Sequence, residues 1–323
     1  MPGGYDRGVP PDDLGAVRAH LPCLAARAHL NTGGTGPLPD VAVAAAGAWA
    51  RRALERGRGD GEWFAAVEAE AARTRAAAGR VIGAAPGEIA LTANTTAGAN
   101  IVAWGIDWRP GDEIVMPALE HPGLAVPLAT VARRHGVRLR LVDHDGMGRR
   151  LAEEVADACG PRTRLVALSH VSWATGAVLD VAGAARAARG AKALVLVDGA
   201  QAAGAIPVDP AALGADAYAL PAHKWLLGPG GLGALWISPA ALARIDLTHA
   251  GFESGTGHRP GGGIDPHPAV RRHEVSTLPD GLLGAWRASI EWLEALGWGW
   301  VHARVATARE ALGLATADPA FLP

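Results

Sequence analysis

Short apolar runs alternate along the chain with longer stretches that have helical spacing. Seven runs have the length and composition of buried strands: Glu88–Thr92, Glu113–Met116, Arg138–Val142, Leu165–Ser169, Ala193–Asp198, Ala215–Leu220 and Gly233–Ile237. Stretches rich in alanine and arginine lie between several of them and predict helices: Gly123–Arg134, Leu151–Cys159 and Val181–Ala188. This alternation predicts an α/β fold, with a mostly parallel central sheet and helices on both faces.

The regions that flank this alternation have other patterns. Trp49 to Ile82 predicts one or two amphipathic helices with a break near Gly57–Gly61, and Leu283 to Leu314 predicts two helices divided near Gly297–Gly299. Glu253 to Pro268 is rich in glycine, proline and histidine, and therefore predicts a long loop that covers a site or moves.

Composition narrows the class of protein. The 323 residues carry a net charge of -2, with 49% hydrophobic and 19% charged residues, which excludes a disordered chain and argues against an electrostatic nucleic-acid binder. Met1 to Gly15 has no apolar run, so no secretory signal is expected. The uncharged stretch Trp225–Ala243 contains prolines and glycines, which favours a turn and a buried strand over a membrane helix. A cytoplasmic protein is the expectation.

Two cysteines, Cys23 and Cys159, are too few for a disulfide scaffold and have no metal-ligand spacing. The histidines likewise fit no ligand pattern, so no metal site is predicted.

The chain has only two lysines, Lys192 and Lys224. Lys224 lies between His223 and Trp225, where two apolar strands meet. It is either a Schiff-base lysine kept nucleophilic by its surroundings or a strand-end lysine that reaches solvent. Lys192 has the pattern of an ordinary loop charge.

Polar residues follow other predicted strands. Asp198 either pairs with a ligand cation, such as a protonated pyridine nitrogen, or caps a helix. Thr95 and Thr96 either cradle a phosphate or cap a helix. His121 could stack on a flat cofactor or move protons, although most loop histidines do neither.

Together these motifs resemble the class V aminotransferase and cysteine desulfurase group of pyridoxal-phosphate (PLP) enzymes, which has the fold-type I architecture. The resemblance runs in order from about Leu30 to Thr277. It rests on six motifs: Thr92-Ala93-Asn94-Thr95-Thr96, Glu120-His121, Ser169-His170-Val171-Ser172, Asp198-Gly199-Ala200-Gln201, His223-Lys224 and Arg272-His273-Glu274-Val275-Ser276-Thr277.

The resemblance implies roles for individual residues. Lys224 would form the Schiff base with PLP and then move the substrate α-proton. His121 would stack on the ring and assist proton transfer. Asp198 would pair with the pyridine nitrogen, and Gln201 would face the phenolic oxygen.

The remaining implied contacts concern the phosphate. The backbone near Thr95, together with Thr96 and His223, would hold it. Thr277 would reach the phosphate of a neighbouring subunit, which implies a homodimer. Pro221 replaces the Ser or Thr that the family usually has three residues before the lysine, and it cannot donate a hydrogen bond.

The resemblance also divides the chain. Residues 1–38 would be an N-terminal segment, 39–281 the PLP-binding large domain, and 282–323 helices that lead toward a missing or shortened C-terminal domain. That small domain carries the arginine for the substrate carboxylate in the family. Arg259, Arg271 and Arg272 are possible substitutes, with no preference among them.

Reaction type is the least determined property. A cysteine desulfurase needs a nucleophilic cysteine after the lysine, whereas both cysteines here precede Lys224. Leu30–Pro39 and Ser172–Gly176 resemble the isopenicillin-epimerase-like branch. The leading expectation is an aminotransferase or epimerase type of PLP enzyme that acts on an α-amino acid or a derived metabolite. The alternatives are a C–S lyase and a catalytically impaired protein with the PLP fold.

Overall fold

The computed structural model describes residues 14–311, with a seven-stranded sheet at its centre. The strands are β1 Ile89–Thr92, β2 Glu113–Pro117, β3 Arg138–Val142, β4 Thr163–Ser169, β5 Leu194–Asp198, β6 Ala217–Pro221 and β7 Gly233–Ile237. Their order in the sheet is β1-β7-β6-β5-β4-β2-β3. Strand β7 runs antiparallel to both of its neighbours, β1 and β6, and the four other strand pairings are parallel, which confirms the predicted mostly parallel sheet.

Helices cover both faces of this sheet. The α-helices of the described residues are α1 Leu14–Ala19, α2 Cys23–Ala26, α3 Asp40–Arg56, α4 Gly61–Val81, α5 Thr95–Gly105, α6 Pro122–His135, α7 Leu151–Ala158, α8 Val181–Gly190, α9 Pro210–Leu213, α10 Pro239–Leu242, α11 Asp280–Leu296 and α12 Trp298–Ala311. Helices α5 and α6 pack on one face, and α4, α8 and α11 pack on the other.

Alternation along the strands separates the two cores. In β5, Leu194 and Leu196 face the core under α5 and α6, whereas Val195 and Val197 face the opposite core. Because successive side chains of a strand point to opposite faces, Asp198 lies on the same side as Leu196. The strand pattern therefore directs this carboxylate toward the amino ends of α5 and α6.

The predicted elements agree closely with the observed ones. All seven strands occur within two residues of their predicted bounds. The predicted helix breaks are also present, because α3 ends at Arg56 before α4 begins at Gly61, and Gly297 separates α11 from α12.

The prediction of a long loop over Glu253–Pro268 is wrong. The segment forms an antiparallel hairpin of β8 Gly255–Arg259 and β9 Gly263–Pro266, preceded by a short 3-10 turn at Phe252–Ser254. Gly261 and Gly262 adopt positive φ angles of 86° and 87° in its turn, a conformation that glycine accepts without steric cost. The composition that suggested a loop thus belongs to a tight turn.

No helix between residues 14 and 311 is both long and apolar enough to cross a membrane. The predicted domain boundaries stay predictions, and residues 1–13 and 312–323 lie outside the described range.

Candidate functional site

Side chains from four separate strand ends meet at the carboxyl edge of the parallel strands. His121 follows β2, Asp198 ends β5, and Lys224 follows β6. These three groups lie close enough that the pKa of each is shifted by the charge of at least one of the others. Thr95 begins α5, directly after β1. The structure therefore brings together residues that are far apart in the sequence.

Lys224 lies half-buried in a tight turn after β6. The turn is closed by hydrogen bonds from the Leu227 amide to the Lys224 carbonyl (3.1 Å) and from the Gly228 amide to the Ala222 carbonyl (2.8 Å). Burial lowers the pKa of the Lys224 amine, and the negative charge of Asp198 opposes this only in part. The amine is thus more available as a nucleophile than that of an ordinary lysine.

Lys192, by contrast, is exposed and precedes β5 at the opposite edge of the sheet. Its carbonyl accepts a hydrogen bond from Arg244 at 2.9 Å. The structure thus separates the two lysines that the sequence offers.

Asp198 is a buried carboxylate, only 6% exposed. Its Oδ1 accepts a hydrogen bond from the Ala200 amide at 2.8 Å. Burial raises the pKa of Asp198, while the hydrogen bond and the positive charges of Lys224 and His121 act in the opposite direction. A bound cation would stabilise the charged form of such a buried carboxylate.

His121 caps the amino end of α6. Its Nδ1 accepts a hydrogen bond from the Gly123 amide at 2.9 Å, so the neutral ring carries its proton on Nε2. Burial, and then the charge of Lys224, lower the pKa of His121 and favour this neutral form. Its ring lies edge-on to Trp173, with centroids 5.3 Å apart.

Among residues 14–311, ten buried side-chain polar atoms lack hydrogen-bond partners, and two of them belong to the site: Thr95 Oγ1 and His223 Nδ1. Such orphaned atoms are rare in proteins and point to a bound acceptor or donor. A Cβ added to Gly123 would lie 2.5 Å from Thr96 Oγ1, so the amino ends of α5 and α6 approach each other closely. Two converging helix amino ends favour an anion.

Gln201 is held at both ends of its amide. Its Nε2 donates to the Gly33 carbonyl and its Oε1 accepts from Trp225 Nε1, both at 2.9 Å. The N-terminal segment is also tied to the lysine turn, because the Gly36 amide donates to the His223 carbonyl at 2.7 Å. The predicted contact of Gln201 with a cofactor stays a prediction.

Thr277 is exposed and lies just before α11. The contacts of the described residues do not join it to the other site residues. Its predicted role at a neighbouring subunit, and the homodimer that this role implies, stay predictions.

The three arginines considered for a substrate carboxylate are engaged elsewhere. Arg259 pairs with Asp265 in the hairpin at 2.9 Å, and Arg271 pairs with Glu68 at 3.0 Å. Arg272 donates to the carbonyls that end α10 and follow it. None of them is a ready carboxylate ligand in this arrangement.

Two further residues at the site, Glu120 and Ser169, occur in the motifs of the resemblance but were assigned no role. Glu120 is 7% exposed, and its carboxylate accepts hydrogen bonds from the Ser169 amide (2.7 Å) and hydroxyl (2.5 Å). Burial raises the pKa of Glu120 to about 7, with a smaller contribution from the charge of Asp198. Its position beside His121 was the available signal, but adjacency does not reveal burial.

Glu120→Gln should change the pH dependence of stability in the ligand-free protein. Because its pKa is raised, Glu120 of the folded protein is neutral below the ordinary pKa of 4.5 and charged above about 7. The buried charge destabilises the folded state only when it is present. We expect the stability of the wild type, relative to the variant, to fall by about 3 kcal/mol over this window. Thermal unfolding of both proteins across this pH range measures the difference. A constant difference would contradict the raised pKa.

Comparison with known proteins shows which family this chain resembles in sequence. The sequence pattern of the family described as aminotransferase class-V matches residues 29–313. A probable cysteine desulfurase of Methanothermobacter thermautotrophicus is 36% identical over 71% of this chain and 58% of its own length. Isopenicillin N epimerase of Streptomyces clavuligerus is 34% identical over 85% of this chain and 71% of its own length.

Solved structures of PLP-binding proteins have a similar fold. A lysine-to-alanine variant of C-DES with glycine covalently linked to the PLP cofactor has a TM-score of 0.86 at 33% identity, covering 92% of this chain and 79% of that one. The complex of the cystine C–S lyase C-DES with its product cysteine persulfide has a TM-score of 0.80 at 34% identity, covering 84% and 73%. These matches confirm the predicted fold-type I architecture.

Proposed function

Because this chain belongs to the class-V aminotransferase family, we propose that it uses PLP at the strand-end site to act on an α-amino acid. The chain spans 58% of the length of its Methanothermobacter relative, so the activity of the whole protein is part of this proposal. The observation that carries it is the meeting of a half-buried lysine, a buried carboxylate and two orphaned polar atoms at one sheet edge.

The residues present fit the cofactor. The unpartnered Thr95 Oγ1 and His223 Nδ1 would hold the phosphate, together with Thr96 and the free amides at the start of α5. Asp198 supplies the negative charge that a protonated pyridine nitrogen requires. Lys224 supplies the amine for covalent attachment. Pro221 cannot contribute a hydroxyl to this set.

When bound, PLP supplies an electron sink that stabilises negative charge at the substrate α-carbon. Burial lowers the pKa of Lys224, which favours the neutral amine that would accept the α-proton. Asp198 would keep the pyridine nitrogen protonated. The neutral ring of His121, held by the Gly123 amide, provides a flat surface at the site and keeps its Nε2 proton available for donation.

Among the possible outcomes, we favour cleavage of a C–S bond. The cystine C–S lyase C-DES is similar to this chain at 33–34% identity, with TM-scores of 0.80 to 0.86. On cystine, such a reaction removes the α-proton, breaks the Cβ–S bond and releases cysteine persulfide. Water then completes the release of pyruvate and ammonia, so that no external oxidant or reductant is needed.

Epimerisation is the second candidate, favoured by 34% identity to isopenicillin N epimerase over 85% of this chain. Persulfide formation on Cys159 is less well supported. Cys159 lies at the end of α7, near the amino end of β4, and burial raises the pKa of its thiol. It is therefore both at the opposite edge of the sheet and poorly nucleophilic.

A substrate panel tests the proposal. The PLP-loaded protein is incubated with cystine, S-substituted cysteines and simple L-amino acids in heavy water. Pyruvate with released thiol or persulfide supports C–S cleavage. Exchange of the α-hydrogen with inversion, and without pyruvate, supports epimerisation, whereas conversion of the cofactor to its amine form supports transamination. If no substrate shows either α-exchange or product, the proposed activity is wrong.

Thr95→Val should weaken PLP binding about tenfold, because the variant keeps the side-chain volume but removes one donor to a buried phosphate. Titration of ligand-free protein with PLP, followed by tryptophan fluorescence, measures the Kd. Thr130→Val is the matched control, since the Thr130 hydroxyl only donates to a carbonyl within α6. Equal Kd values for the two variants would remove Thr95 Oγ1 from the phosphate site.

A further inference from the structure

Glu120 has no role in the chemistry described above, yet it is among the most deeply buried charged groups near the site. Its two carboxylate oxygens accept hydrogen bonds from the Ser169 amide and hydroxyl, at 2.7 Å and 2.5 Å. These bonds join the loop after β2 to the last residue of β4. A buried carboxylate is a costly way to stabilise a fold, because an apolar residue of similar volume is often as good or better.

The loop that Glu120 holds is also the loop that carries His121. A second hydrogen bond holds the same loop, because Trp173 Nε1 donates to the Leu119 carbonyl at 2.9 Å. Trp173 then places its indole edge-on to the His121 ring. The two residues that precede His121, Leu119 and Glu120, are thus hydrogen-bonded to the end of β4 and to the chain that leaves it.

We infer that Glu120 is a positioning residue of the cofactor site, which fixes the ring of His121 relative to Asp198 by tying their supporting strands together through Ser169. β4 is paired with β5 in register, with Ser169 opposite Asp198. The path from the Glu120 carboxylate to Asp198 therefore crosses one hydrogen-bonded residue and one strand pairing. Small shifts of a site residue matter because binding and catalysis depend on the geometry of the side chains that contact the ligand.

This inference rests on the proposed PLP site. It predicts that PLP binding depends on the two hydrogen bonds of Glu120 and does not depend on its negative charge. Glu120→Gln keeps both, since its amide oxygen can accept from the Ser169 amide while its NH₂ donates to the Ser169 hydroxyl. Glu120→Ala loses both and leaves a buried amide unsatisfied.

The experiment compares PLP binding and the visible circular dichroism of bound PLP, which reports how asymmetrically the site holds it. We expect Glu120→Ala to raise the Kd for PLP about tenfold and to diminish the dichroism, and Glu120→Gln to stay within about threefold of the wild type. The matched control is Glu113→Gln, which alters a buried glutamate at the opposite end of β2. This control should leave the Kd and the dichroism unchanged, whatever its effect on the Tm.

Each outcome of this experiment either supports or contradicts the positioning role of Glu120. If Glu120→Ala binds PLP like the wild type, or if Glu120→Gln loses as much as Glu120→Ala, the positioning role is wrong. Should Glu120→Ala not fold, Ser169→Ala decides, because it removes only the hydroxyl: an increased Kd supports the role, and an unchanged Kd overturns it. If the wild type itself binds no PLP, the proposed function fails instead.

Discussion

Replacing Lys224 by alanine is expected to abolish the borohydride-stable attachment of PLP and to lower turnover by at least about 10³-fold, because both the attached amine and the acceptor for the α-proton are lost. Lys224 is the half-buried lysine of the site, with a pKa lowered by burial. Mass spectrometry of the borohydride-reduced protein, with mapping of the modified peptide, gives a direct readout that does not depend on knowing the substrate.

Lys192→Ala is the matched control for this prediction. Lys192 is exposed and lies at the opposite edge of the sheet, so its removal should leave both the attachment and the turnover unchanged. Attachment that survives in Lys224→Ala and disappears in Lys192→Ala would show that the site has been assigned to the wrong edge.

Asp198→Asn is expected to lower turnover by about 10³-fold while PLP remains attached to the protein. The amide has nearly the same shape as the carboxylate, but it lacks the charge that keeps the pyridine nitrogen protonated. The electron-withdrawing power of the ring would fall, although Lys224 could still hold the cofactor. Turnover of the preferred amino acid and borohydride trapping of PLP, measured on the same preparation, separate the two effects.

Asp216→Asn provides the comparison, since Asp216 begins the segment that enters β6 at the other end of the sheet. Its Oδ2 accepts a hydrogen bond from the Val195 amide at 2.8 Å, and burial raises its pKa as it does for Asp198. Loss of this partly buried charge should affect the Tm without affecting turnover per bound PLP. Wild-type turnover in Asp198→Asn would disprove the pairing of Asp198 with the pyridine nitrogen.

The local sequence pattern was sufficient to predict most of the strands and helices. The run Ala193–Asp198 contains enough apolar residues to be buried on both faces, and it forms β5 within one residue of its predicted start. The break at Gly57 likewise ends α3, where the glycine adopts a φ of 78°. Each of these features depends on a few neighbouring residues, so it can be recognised without knowing the sheet order.

Local pattern failed where the same composition serves two structures. Glycine, proline and histidine between Glu253 and Pro268 are typical of loops, but Gly261 and Gly262 supply the turn of a hairpin whose strands are held by backbone pairing. The role of Glu120 was invisible for another reason. Its partner Ser169 lies 49 positions away in the chain, and only the pairing of β2 with β4 brings them together.

The sequence by itself determined the succession of strands and helices and the polar residue at each strand end, and it predicted Lys224 rather than Lys192 as the reactive lysine. These properties follow from periodicity and from neighbouring residues. Tertiary structure alone decided that Thr95 Oγ1 and His223 Nδ1 are orphaned, that the candidate arginines have partners, and that Glu120 is tied to the end of β4. The physical reason is that burial and hydrogen-bond satisfaction depend on every element packed around a group, and those elements are distant in the chain.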